Sequence, residues 1–223
     1  MKTFATTAPI TAVVDIPAGR IQLIATDRAD AKVEVRPSDA SKSRDVKAAE
    51  QTTVDYVDGV LRINAPAPKN QILGSSGSVE VTVQLPVGSR VEAKAASAEL
   101  RGVGRLGDVE FDGAAGSIKL DETAGVRLTL QAGDVSVGRL GGAAEISTVK
   151  GDISVAEATR GALVLRTEAG NVSVTAAAGV SATLDAGTAY GRITNTLMNA
   201  DGPDAAVSIH ATTSYGDVVA RSI

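Results

Sequence analysis

Acidic residues recur at one place in a repeated phrase of this chain. Asp134 and Asp152 stand eighteen positions apart, each after a glycine, in Gly133-Asp134-Val135-Ser136-Val137 and Gly151-Asp152-Ile153-Ser154-Val155. Asn171 holds the same place in Gly170-Asn171-Val172-Ser173-Val174, and Asp108 and Asp217 hold it in more distant units. If folding stacks these positions, the carboxylates come within about 5 Å of one another and need screening. Two chemistries use such an array. A ladder of oxygens can hold a hard cation such as calcium, and a pair of carboxylates can do acid and base work at a glycosidic bond. The calcium-roll wording Gly-Gly-x-Gly-x-Asp is absent, because Gly141-Gly142 is followed by Ala143-Ala144. A glycosidic site needs a cleft and one carboxyl of raised pKa, yet the turns here are short and carry no aromatic platform beside the acids. Aspartate after glycine is also what a turn favours, and Asn171 and Arg192 interrupt the charge. The residues therefore read as turn aspartates, with no catalytic residue and no metal ligand. A carbohydrate-active or carbohydrate-binding protein using the Asp column is the alternative.

His210 is the single histidine. Alternation turns Val207 and Ile209 inward and Ser208 and His210 outward, and no pattern places a nucleophile and an acid around it as a triad requires. Tyr190 and Tyr215 each precede a glycine, in Thr-Ala-Tyr-Gly-Arg and Thr-Ser-Tyr-Gly-Asp. Equivalent register would bring them together on one edge, where they either close the small-residue core ring on ring or anchor a partner. No phosphate-binding Gly-x-x-x-x-Gly-Lys-Ser/Thr phrase occurs, and no cofactor is implied.

The elements that must position these residues follow from a beat of small residues. From Ala98 they recur at Gly107, Gly116, Gly125, Gly133, Gly142, Gly151, Gly161, Gly170 and Gly179, in steps of 9, 9, 9, 8, 9, 9, 10, 9 and 9. The beat then loosens through Gly191, Ala205 and Gly216. Between them apolar residues alternate, as in Ile118/Leu120, Val135/Val137, Ile153/Val155, Leu163/Leu165 and Val172/Val174, the mark of a strand with one buried face. Units with the acidic second position alternate with units that lack it, so the repeat is about eighteen residues with two short strands. Stacking like on like makes this an all-β, β-helix-like solenoid. An antiparallel β-sandwich is the competing architecture. The pattern before Ala98 is looser: Gly19–Leu23, Lys32–Val35, Val60–Ile63 and Val79–Val83 alternate, Ser43–Gln51 reads as a short helix capped by Ser43, and Ala65–Ser78 as a mobile loop. Residues 1–97 are expected to start and cap a regular solenoid of residues 98–223, forming one continuous unit.

Composition narrows the function classes. The 22 basic and 26 acidic residues give a net charge of -4 without a basic run, which argues against nucleic acid. Cysteine is absent, so disulfides and thiolate sites are excluded. Asp15 and Pro17 break the apolar N-terminal stretch, and no segment reaches membrane-spanning length, so neither a signal peptide nor membrane insertion is expected and the chain reads as cytoplasmic. With two Phe, three Tyr and no Trp, the core must be built from Val, Ile, Leu and Ala.

The succession AGDVSV, KGDISV, AGNVSV, YGRIT and YGDVVA resembles the bacterial toast-rack, or putative-adhesin, family of β-strand-repeat proteins. The stretches EVRPSDASKSRDVKAAEQT and SVEVTVQLPVGSRVEAKAASAEL are similar to its actinobacterial members. The resemblance implies a β-helix-like fold, and no catalytic residues that map onto this chain. The resulting expectation is a non-enzymatic scaffold that binds a protein partner or its own copies. Its contact residues would be Tyr190, Tyr215, Arg192 and the outward Ser136, Ser154 and Ser173. The last unit, YGDVVARSI, is expected to expose an unpaired edge that invites head-to-tail assembly, with Arg221 as a gatekeeper against it.

Overall fold

The computed structural model describes residues 1–65 and 77–223. It separates into two compact units, Met1–Gly116 and Ser117–Ile223. The sequence reading of a mobile loop over Ala65–Ser78 falls almost wholly on residues outside the described ones.

In the first unit the strands are β1 (Lys2–Ala5), β2 (Thr11–Thr26), β3 (Asp30–Pro37), β4 (Thr53–Val57), β5 (Val60–Asn64), β6 (Val79–Pro86) and β7 (Arg90–Ala115). All four early stretches of alternation lie in strands. The long strands bend around coils: β2 runs parallel to β5 over Thr11–Asp15 and to β6 over Gly19–Thr26, while β7 pairs in parallel with both halves of β2. The unit begins with antiparallel pairs, β1 with β3, β3 with β6 and β4 with β5. Helix α1 spans Ser43–Gln51 as the sequence implies, but Ser43 does not cap it. The N-cap is Lys42, with no side-chain cap hydrogen bond. A tight turn occupies the preceding residues instead, where Asp39 Oδ1 accepts bonds from the Ser41 backbone N–H (2.9 Å) and hydroxyl (2.6 Å).

The second unit is a two-column stack of parallel strands. Strand β8 (Ile118–Ala132) bends after Thr123 and contributes to both columns; β9 (Val135–Leu140), β10 (Ala144–Lys150), β11 (Ile153–Ala158), β12 (Gly161–Ala169) and β13 (Val172–Ala176) then alternate between them. The last four strands are β14 (Ala182–Tyr190), β15 (Ile193–Thr196), β16 (Val207–Tyr215) and β17 (Val218–Ser222). Like words do stack: Ser136, Ser154 and Ser173 are register partners, and Val137, Val155 and Val174 fill the same inward place, each at most 1% exposed. Every pairing among these strands is parallel, which decides for the solenoid over the sandwich. Burying each inward Val or Leu contributes roughly 1.5–3 kcal/mol, so a thin core of small apolar residues suffices when it is repeated.

The final strands are not stacked in chain order. One column runs β10–β12–β16–β14 and the other β9–β11–β13–β17–β15. After β13 the chain skips a rung, lays down β14 and β15, then returns to insert β16 and β17 beneath them. This corrects the expectation of an open edge at YGDVVARSI. Strand β17 is paired on both sides, with Val218 and Ala220 each 1% exposed. The outermost strands are β14 and β15, and all four residues of β15 are exposed. The gatekeeper role for Arg221 falls with the edge; its Nε donates to Thr175 Oγ1 on the neighbouring strand.

Candidate functional site

The aspartate column is real, and its chemistry is a chain of hydrogen bonds between rungs. Asp134 Oδ1 accepts the backbone N–H of Asp152 (2.9 Å), and Asp152 Oδ1 accepts that of Asn171 (2.7 Å). Asn171 Oδ1 accepts that of Asp217 (2.9 Å), and Asp217 Oδ1 that of Arg192 (2.8 Å). Each side chain satisfies a corner N–H that no strand partner reaches. Asn171 serves as well as aspartate because only an acceptor oxygen is required, and its Nδ2 also donates to Asp152 Oδ1 (3.2 Å). Arg192 fits because, among the described residues, its rung is the last and brings no further corner N–H to receive. Asp108, also matched to this place from sequence, lies in the first unit and is not part of this chain of bonds. Among the described residues, no group of three or more acidic or histidine side chains is placed to hold a metal ion.

Two further columns flank the aspartates. Gly151, Gly170 and Gly216 have φ of +146°, +159° and +152°. A Cβ on any of them would overlap the carbonyl oxygen of the glycine one rung away. The other column was not anticipated. Thr148, Thr167, Thr213 and Thr188 are register partners. The hydroxyls of Thr167, Thr213 and Thr188 donate to the carbonyls of Gly151, Gly170 and Gly216 at 3.0, 2.9 and 2.9 Å. A threonine three residues before the Gly151-Asp152, Gly170-Asn171, Gly191-Arg192 and Gly216-Asp217 corners was the signal available in the sequence, with Leu130 in that place before Gly133-Asp134.

The proposed contact residues divide into two groups. Ser136, Ser154 and Ser173 line the outward face of β9, β11 and β13, half-buried and in register. Tyr190, Tyr215 and Arg192 gather at one corner of the two outermost rungs. Tyr190 and Tyr215 are register partners, with ring centroids 5.0 Å apart and planes 4° from parallel. They are 68% and 61% exposed, so they stack on each other without closing the core. Beyond Tyr215 the column continues with Ala169, whose small side chain leaves the ring uncrowded. Strand β14 carries Asp185 opposite His210, whose Nδ1 lies 2.9 Å from Asp185 Oδ2. The outward histidine thus has a carboxylate partner on the neighbouring rung.

A family model described as Toastrack DUF4097 matches residues 71–221. The chain belongs to the toastrack family. A crystal structure of a putative adhesin from Bacteroides fragilis superposes with a TM-score of 0.52 at 10% identity, over 98% of this toastrack chain and 95% of that chain. A putative lipid binding protein from Parabacteroides distasonis gives 0.49 at 12% identity, over 98% and 95%. A putative cell adhesion protein from Clostridium sporogenes gives 0.45 at 12% identity, over 100% and 98%. At these identities the likeness concerns the fold alone. No curated protein matches this toastrack chain. Among the described residues no helix is long and apolar enough to cross a membrane.

Proposed function

We propose that this toastrack chain is a non-enzymatic scaffold that binds a protein partner through the corner formed by Tyr190, Tyr215 and Arg192. The observation that carries this reading is the pair of stacked, mostly exposed tyrosine rings in a chain with only five aromatic residues. Tyrosine and arginine dominate the energetics of protein contacts, and a ring already held flat by its neighbour loses little freedom on binding. The acidic column supports a structural reading over a catalytic one, since its oxygens are engaged by backbone N–H groups, and Asp134 and Asp152 are exposed while Asp217 is half-buried. A general acid would require burial to keep its proton. The names of the similar solved structures, adhesins among them, accord with a surface that makes contacts.

A photo-crosslinking residue placed at 190 or 215, and at 147 on the outward side of β10 as a comparison, tests the reading in the native host. Adducts with one protein are expected from the tyrosine corner, absent from position 147 and lost from a 190 probe when Tyr215→Ala and Arg192→Ala are added. Equal labelling from all three positions would refute it. Light scattering across a wide concentration range then identifies the partner class: growth in mass that Tyr190→Ala abolishes means a second copy, and constant monomer mass means another protein.

A further inference from the structure

The reversed order of the last two rungs has a cause in particular side chains. The segments β14–β15 and β16–β17 are register equivalents: Ala182 pairs with Val207, Tyr190 with Tyr215 and Ile193 with Val218. Either segment therefore matches the slot beside β12 and β13, where Val207 sits opposite Gly161 and Val218 opposite Val172. Chain order would put β14–β15 there. The chain instead runs through five residues, 177–181, to reach the outer rung, and through ten, 197–206, to return; the equivalent crossings from β9 and β11 take three and two.

We infer that Arg192 and Asn195 mark β14–β15 as an end rung and thereby assign the inner slot to β16–β17. In the inner rungs from Asp134 onward, the residue after the corner glycine accepts the corner N–H of the next rung. Asp217 does so for Arg192, at 2.8 Å. Arginine has no acceptor, so an inner Arg192 would leave the Asp217 N–H without a partner. Asn195 shares a column with Ala220, Val174, Val155 and Val137, all buried. At the end rung its amide stays exposed and its Oδ1 accepts the Leu197 N–H at 3.0 Å. Inside the stack the same amide would lie among apolar side chains, with rungs above and below it, and that burial is costly. Ala220 carries no such penalty. The two residues thus act together, one through the corner ladder and one through the core.

Engineered disulfides read the order directly, since the chain has no cysteine of its own. Parallel neighbours lie about 4.8 Å apart, within disulfide range, whereas strands two rungs apart are out of reach. In the native background, Ser173→Cys with Val219→Cys should close almost completely, and Ser173→Cys with Thr194→Cys should stay reduced. Adding Arg192→Asp, Asn195→Ala, Asp217→Arg and Ala220→Asn should reverse both results. A folded fourfold variant that still closes 173–219 and leaves 173–194 reduced would overturn the inference. The milder pair Arg192→Asp with Asn195→Ala disturbs little that the fold uses and should yield both links in one preparation. If it yields only 173–219, the inference fails even where the fourfold variant does not fold. Neither tyrosine enters this test.

Discussion

Asp152 offers the sharpest test of the claim that the acidic column is structural. Its Oδ1 accepts the Asn171 backbone N–H at 2.7 Å and the Asn171 Nδ2 at 3.2 Å. Asp152→Ala removes both bonds and leaves a corner N–H to solvent. A hydrogen bond to a charged group contributes about 1.5–3 kcal/mol when sheltered, and the exposure of this corner lowers that, so the expected loss is about 1–1.5 kcal/mol. Asp152→Asn keeps an acceptor in the same position and should cost about 0.5 kcal/mol or less. Arg192→Ala, at the same place in the end rung, removes no acceptor and should be neutral within about 0.5 kcal/mol. Urea unfolding followed by circular dichroism at neutral pH separates the three. With an m-value near 3 kcal/mol/M, Asp152→Ala should move the midpoint down by about 0.3–0.5 M with m unchanged. The reasoning is refuted if Asp152→Asn is as damaging as Asp152→Ala, since charge and not the acceptor would then matter. It is equally refuted if Arg192→Ala matches Asp152→Ala, since ladder position would then be irrelevant.

Two other outcomes follow from local geometry. Gly151→Ala sets a Cβ against the Gly133 carbonyl at φ +146° and should cost about 2–4 kcal/mol in the same assay, whereas Gly179→Ala, at φ +73° with open space around it, should cost only about 1 kcal/mol. Asp39 is held at about 2 by the Ser41 hydroxyl, then by the Ser41 backbone N–H and Lys42. Because its folded pKa is depressed, the stability it contributes is present above about pH 4 and is lost as pH falls through about 2. A carboxyl NMR titration should place its midpoint near 2 and show it rising in Ser41→Ala; a midpoint near the ordinary aspartate value in the native chain would contradict this.

Much of the fold was legible because its cause is local and periodic. Glycine at Gly142, Gly151, Gly161, Gly170 and Gly216 is forced by steric overlap with the neighbouring rung, so much of the nine-residue beat is an image of the stack. The inward Val135/Val137, Ile153/Val155 and Val172/Val174 pairs are likewise visible because a two-residue period has one explanation. The matching of Tyr190 with Tyr215 followed from the same register. Their contact with each other and not with the core could not be read, because it depends on which rungs are outermost. The cap of α1 was misassigned for a similar reason: Ser43 is a good capping residue by type, but the turn held by Asp39 and Ser41 fixes the chain one residue earlier, at Lys42.

Rung order escaped the sequence reading because period and register are indifferent to it. Two segments of nearly equal length, Ala182–Thr196 and Val207–Ser222, each with Tyr-Gly at the corner, satisfy the repeat in either order. What distinguishes them is chemistry at the places where a rung must serve its neighbour. Arg192 interrupts the acidic column, and Asn195 is a polar residue at an inward place. Taken singly, each looks like a tolerated irregularity. Taken together, they describe a rung with nothing stacked above it, while Asp217 and Ala220 describe one with neighbours on both sides. In a solenoid the residues that break the repeat therefore carry positional information that the repeating residues cannot. The same logic bears on assembly: the outer strand β15 is headed by Arg192, whose side chain offers no acceptor for the corner N–H of a further rung.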